Sequence, residues 1–102
     1  MAENPSRVQA IVSALERDLD AVHVEVVDES AQHAGHAWAA GGGHFRILVV
    51  SERFEGRSRL EAQRLVYRAL DPLMGGAIHA LTMTTLTPDQ WHDQKRDEGP
   101  KS

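Results

Sequence analysis

The chain has 102 residues, no cysteine and a formal net charge of −4. A chain of this length forms one small domain, which leaves little room for a large buried catalytic cleft. The lack of cysteine excludes disulfides, thiolate nucleophiles and any metal site built from thiolates of this chain alone. The longest aliphatic run is only residues 47–50, so we expect neither secretion nor a membrane span. A cytoplasmic protein, or one inside an organelle, is the expectation.

Two elements are predicted in the first part of the chain. Residues 5–20 carry apolar side chains at helical spacing, and Asn4 followed by Pro5 is typical of a helix start. Valines then alternate with other residues over 22–28, which predicts a half-buried strand.

A glycine-interrupted segment follows over residues 31–43. It contains His33 and His36 but no strand-like alternation, so we expect a surface connection. Residues 44–50 are rich in β-branched and aromatic side chains and predict a second strand, antiparallel to the first.

A second helix is predicted from the capping box formed by Ser58 and Glu61. It should end before Pro72, because proline restricts the residue that precedes it. Apolar residues expected to face inward, fully or in part, are Leu60, Leu65, Val66, Tyr67 and Leu70.

The C-terminal part predicts a third strand over residues 78–85 and a brief helix that starts at a second capping box, Thr87 to Gln90. The charged residues 95–102 are expected to be a disordered tail, which leaves a single domain over residues 1–94. The predicted order is α-β-β-α-β, an α+β fold in which helices pack on one face of a three-stranded sheet.

Histidines are the side chains of this chain best suited to bind a borderline metal. His79 lies near the start of the third strand, whereas His33 and His36 lie in the glycine-interrupted segment. A strand histidine bonded to a backbone carbonyl and two exposed loop histidines are the alternative interpretations. His44 opens the second strand, where it either lines a shared face or caps the strand.

Arginines concentrate between residues 52 and 68, where five of them face three glutamates. This segment carries +2 and the remainder of the chain −6, which indicates either a binding surface or a solvated helix face. No nucleophile elbow or ordered Ser/His/Asp set is visible, so we expect no enzyme activity.

Several motifs together resemble the BolA family over roughly residues 8–92. They occur in the family's order and spacing at residues 28–30, 44–46, 50–56, 63–67, 78–81 and 87–91. One departure is Gln63, where many members have a histidine before the arginine of the second helix.

The resemblance implies a KH-like fold and a partnership with a monothiol glutaredoxin, in which the two proteins share a 2Fe-2S cluster. It implies thiolates from the glutaredoxin and glutathione, one imidazole from His79, and a second from the first inter-strand loop. His33 matches that loop position best, and His36 is the alternative. Whether the cluster is delivered or sensed stays open.

A DNA-binding transcriptional regulator is the alternative function. It is motivated by the KH-like topology, the arginine-rich segment and a transcriptional role often attributed to the family. The predicted nucleic-acid or partner surface comprises Arg57, Arg64, Arg68 and His44. The free chain is expected to be a monomer or a weak homodimer.

Overall fold

The structure, a computed structural model, describes residues 3–29 and 43–98. Its main elements confirm the predicted α+β order, with a third helix at the end. They are α1 (Glu3–Leu19), β1 (His23–Asp28), β2 (Gly43–Val50), α2 (Arg59–Leu70), β3 (Ile78–Leu86) and α3 (Pro88–Glu98). Within the described ranges, no helix is long and apolar enough to cross a bilayer.

The sheet has the strand order β1-β2-β3, with β2 in the centre. β1 pairs antiparallel with β2, as predicted, and β3 pairs parallel with β2. The parallel pairing requires a crossover connection, which α2 provides.

The core lies between one face of the sheet and the helices α1 and α2. Phe45, Ile47 and Val49 of β2 are almost fully buried there. They meet Ile11, Leu15, Val66 and Leu70 from the two helices. Alternate β2 residues therefore point to the opposite side of the sheet, which we call the outer face.

The inward face of α2 differs in part from the predicted one. Val66 and Leu70 are buried, but Leu60 is 56% exposed and Tyr67 is 44% exposed. Ala62 and Ala69 are buried beside Val66. These small residues occupy the inward positions at helical spacing, so the larger Leu60 and Tyr67 lie on the solvent side.

The two predicted capping boxes are present. The Glu61 amide donates to the Ser58 hydroxyl, and the Ser58 amide donates to the Glu61 carboxylate. At the start of α3 the amides of Thr87 and Gln90 make the same reciprocal bonds. Each box satisfies backbone donors that a helix start leaves without intrahelical acceptors.

The α3 helix runs to Glu98, beyond the boundary that we placed at residue 94. The capping box starts this helix, and Lys95 lies over the Trp91 ring at 5.4 Å, one turn further on. These interactions support the helix as far as Lys95, and the expected disorder of the charged tail stays a prediction. Residues 99–102 lie outside the described part of the chain.

Candidate functional site

A β-bulge lies at the start of β3. Gly43 pairs with Ile78, but the next residue of β2, His44, pairs with Ala80. His79 is therefore the extra residue between two register positions. Ile78 is buried and Leu81 packs against the core. Two residues therefore lie between these inward positions, where a regular strand would have one. A bulge of this kind redirects a side chain, and His79 is exposed.

The bulge brings His79 next to His44. The two imidazole rings are stacked, with centroids 5.5 Å apart and planes inclined at 28°. His44 follows the alternation of β2 and lies opposite the buried Phe45, on the outer face. It is half-buried, and its Nε2 atom is buried. We call these two residues the histidine pair.

Backbone bonds fix the strand ends that flank the histidine pair. The Glu29 amide donates to the His44 carbonyl at 2.7 Å, and the Gly43 amide donates to the Ala77 carbonyl at 3.1 Å. Arg46 on the outer face also pairs with the Glu29 carboxylate at 3.0 Å. The chain between Glu29 and Gly43 thus begins and ends beside the pair.

The predicted ligands His33 and His36 lie outside the described residues. His33 is four residues beyond Glu29 in sequence, and four residues span at most about 13 Å when extended. The chain length is therefore compatible with a loop histidine close to the histidine pair.

The exposed imidazole of His79 offers one nitrogen for a borderline metal, which fits part of a coordination sphere. Over residues 3–29 and 43–98, no three histidine, cysteine or carboxylate side chains come together as a metal site. The described side chains alone do not complete a four-ligand site, so a metal held here needs further donors from the loop, a partner or both.

The predicted arginines do not form one patch with His44. Arg57 and Arg68 line a cleft on the helix side of the sheet, together with Arg17 and Arg53. Arg64 is exposed on α2 but does not line that cleft. Sequence reasoning missed that Arg17 lines this cleft, because this residue comes from α1 and only the tertiary fold brings it to α2.

His23 is held in place by two neighbouring side chains. Its Nε2 lies 2.8 Å from the Glu25 carboxylate, and its ring stacks on Trp91 at 4.6 Å between centroids. Because Val24 packs against the core, His23 points to the outer face, where it helps dock α3. His92 on the next helical position is exposed.

Residues 15–90 match the family model for BolA-like protein. Mouse BolA-like protein 1 is 45% identical over 85 residues, which cover 82% of this chain and 60% of the mouse protein. The Arabidopsis thaliana SufE-like protein 1, chloroplastic/mitochondrial, is 39% identical over 89 residues, 81% of this chain and 24% of that protein.

The fold matches solved structures as well. The solution structure of mouse BolA1 superposes with a TM-score of 0.72 at 40% sequence identity, covering 87% of this chain and 71% of the mouse chain. The chain spans 60% of the mouse BolA-like protein 1 and 24% of the SufE-like protein 1, while 82% and 81% of its own length is matched.

Proposed function

This chain belongs to the BolA family, and from that premise we propose that it is a non-enzymatic partner of a monothiol glutaredoxin. The two proteins would share a 2Fe-2S cluster in iron–sulfur cluster assembly, trafficking or iron sensing. The similarity to a protein named SufE-like supports a role connected with iron–sulfur proteins.

The observation that carries this proposal is the exposed His79 on a β-bulge, stacked beside His44. An exposed imidazole on a rigid strand can reach a metal that a partner presents, whereas a buried histidine cannot. The described residues supply too few ligands for a complete site. Both features suit a chain that completes a partner's coordination sphere.

The remaining ligands follow from the family resemblance. The glutaredoxin and glutathione would supply thiolates, and this chain would supply His79 and a second imidazole. His33 is the proposed second ligand, with His36 as its alternative. His44 would then pack behind His79 and restrict its ring orientation, because a stacked neighbour limits rotation about the side-chain torsions.

Imidazole ligands suit a cluster that is passed on or sensed. An imidazole donates less electron density to iron than a thiolate does, which raises the reduction potential, as in Rieske-type centres. An imidazole ligand is also more readily protonated and displaced from iron than a thiolate ligand is. Acidification therefore favours release of the imidazole from the iron.

The test is a titration of a reconstituted monothiol glutaredoxin cluster with this protein, followed by visible absorption and circular dichroism. We expect a spectral change that saturates at one chain per glutaredoxin. His79→Ala should abolish the change, and His33→Ala or His36→Ala should identify the loop ligand. His92→Ala is the matched control, because His92 is exposed on α3.

Two outcomes would contradict the proposal. One is that the mixture gives only the spectrum of the glutaredoxin homodimer. The other is that His79→Ala, still folded by far-ultraviolet circular dichroism, gives the wild-type spectral change.

DNA binding is the second candidate function, and one observation favours it. Arg57 and Arg68, which the sequence assigned to a nucleic-acid surface, lie together in one cleft with two further arginines. Duplex binding through phosphates should fall steeply as salt rises, and Arg68→Glu, which reverses a charge in that cleft, should weaken it further. Binding that is absent near physiological ionic strength would reject this candidate.

A further inference from the structure

A cleft of about 500 Å³ opens between the last turn of α1 and the helix α2. Its polar wall consists of four arginines and one acidic side chain: Arg17, Arg53, Arg57, Arg68 and Asp18. Its floor is apolar, since Leu19 and Ala69 belong to the buried core and the half-buried Leu65 packs against it. We call this the arginine cleft.

Positive charge exceeds negative charge in the arginine cleft. Arg17 pairs with Asp18 at 2.9 Å, and that hydrogen bond raises the pKa of Arg17 above its ordinary value. Arg53 makes two bonds to Asp20, at 3.0 and 2.6 Å. Four arginines against these two aspartates leave an excess of two positive charges, in a chain whose formal net charge is −4.

One of the arginines is anchored to the backbone. The Arg57 Nε donates to the Arg53 carbonyl at 3.0 Å, which holds the Arg57 side chain against the wall of the cleft. This bond uses one of the five N–H donors of the guanidinium, and four remain for a ligand. Partial anchoring reduces the side-chain entropy that binding would otherwise remove.

We propose that the arginine cleft binds a phosphate-bearing small molecule of nucleotide size. Guanidinium groups recognise phosphate oxygens through paired hydrogen bonds, and several guanidiniums can share one anionic group. The cleft volume lies within the range of small-molecule sites. The apolar floor formed by Leu19, Leu65 and Ala69 would contact the organic part of such a ligand.

The charges around the cleft favour a compact ligand over a nucleic acid. Asp18 and Asp20 lie at the arginines, and the exposed Glu52 and Glu55 lie on the neighbouring turn that carries Arg53. An extended polyanion crossing the cleft would bring phosphates towards these carboxylates, and like charges placed together weaken binding. A small ligand inside the cleft meets the four arginines and only one carboxylate, that of Asp18, because Glu52 and Glu55 do not line the cleft.

The arginine cleft and the histidine pair lie on opposite faces of the sheet. The cleft is built from α1, α2 and the turn after β2, whereas His44 lies on the outer face. A ligand in the cleft therefore leaves the outer face accessible. This binding does not depend on the proposed glutaredoxin partnership, so either can fail without the other.

The test is isothermal titration calorimetry of the full chain with ATP at low ionic strength, with AMP, inorganic phosphate and a thymidine oligonucleotide as comparison probes. We expect saturable binding of one ATP per chain. Arg68→Gln and Arg57→Gln should each weaken it about tenfold, because each removes charge-assisted hydrogen bonds. Arg59→Gln is the matched control, an exposed arginine of α2 outside the cleft, and should leave binding unchanged within about twofold.

The following outcomes would overturn the proposal. Lack of saturable ATP binding by folded protein rejects the site, and equal weakening in Arg59→Gln means that ATP responds to general charge. Inorganic phosphate binding as tightly as AMP and ATP would reject a ligand of nucleotide size. Binding of the oligonucleotide without binding of ATP would assign the cleft to nucleic acid instead.

Discussion

Ser51 is a fully buried polar residue at the junction of three elements, and replacing it with alanine tests how that junction is held. Its hydroxyl donates to the Leu19 carbonyl at the end of α1, at 2.6 Å. The same hydroxyl accepts the Arg53 amide at 3.0 Å and so caps the short 3-10 helix Glu52–Phe54. Ser51→Ala removes both bonds without changing the backbone.

The expected loss of stability follows from these two bonds. A buried carbonyl that loses its donor costs about 1–3 kcal/mol. Loss of a capping oxygen costs about 1 kcal/mol. We therefore expect Ser51→Ala to lower the free energy of unfolding by about 3 kcal/mol, which corresponds to a fall in Tm of roughly 10–20 °C for a domain of this size.

The measurement is thermal and urea unfolding of the wild-type chain, Ser51→Ala and the matched control Ser58→Ala. Ser58 caps α2 through a hydrogen bond of similar length, 3.1 Å, but it is exposed. Its loss should cost only about 1 kcal/mol. If Ser51→Ala destabilises the protein no more than Ser58→Ala does, the argument from burial is refuted.

Three further predictions concern α3, the turns and the histidine pair. Trp91→Ala should destabilise the protein by about 1–2 kcal/mol and speed amide exchange in α3, because it removes the His23 stack and the Lys95 contact. If amide exchange is no faster than in His92→Ala, the docking of α3 through Trp91 is refuted. Gly56→Ala should cost about 1 kcal/mol in chemical unfolding, because Gly56 has φ of +76°. At Gly76 φ is not positive and nothing lies within 4 Å of an added Cβ, so Gly76→Ala should be neutral. If Gly56→Ala and Gly76→Ala lower the free energy of unfolding equally, the conformational argument is refuted. His79→Ala should change Tm by no more than about 2–4 °C, because the side chain is exposed; a larger fall would assign His79 a structural role.

The sequence predicted the elements well where the signal was local. Alternating valines identified β1, and a run of β-branched and aromatic residues identified β2. The Ser58–Glu61 and Thr87–Gln90 capping boxes marked two helix starts that the structure confirms. Each of these signals depends on residues within four positions of one another. Such contacts form wherever the local chain is helical or extended, so the sequence suffices.

The arrangement of the site depended on contacts between distant parts of the chain. The stack of His44 on His79 requires the parallel pairing of β2 with β3 and the register shift between them. One local signal of the bulge was available in the sequence. Two residues lie between the apolar Ile78 and Leu81, whereas regular strand alternation leaves only one residue between inward positions. The arginine-rich segment 52–68 signalled three of the four arginines of the arginine cleft, but Arg17 joins them only after α1 has packed on α2.

The β-bulge also separates two demands that usually compete within one strand. From Ala80 onward, β3 keeps the alternation that packs the half-buried Leu81 and Met83 against the core. His79 lies outside that alternation, so its identity is not dictated by what the core needs. The residue at this position can therefore be exchanged for another metal-binding or inert side chain while the strand retains its packing, and the domain can gain or lose a ligand without changing its fold.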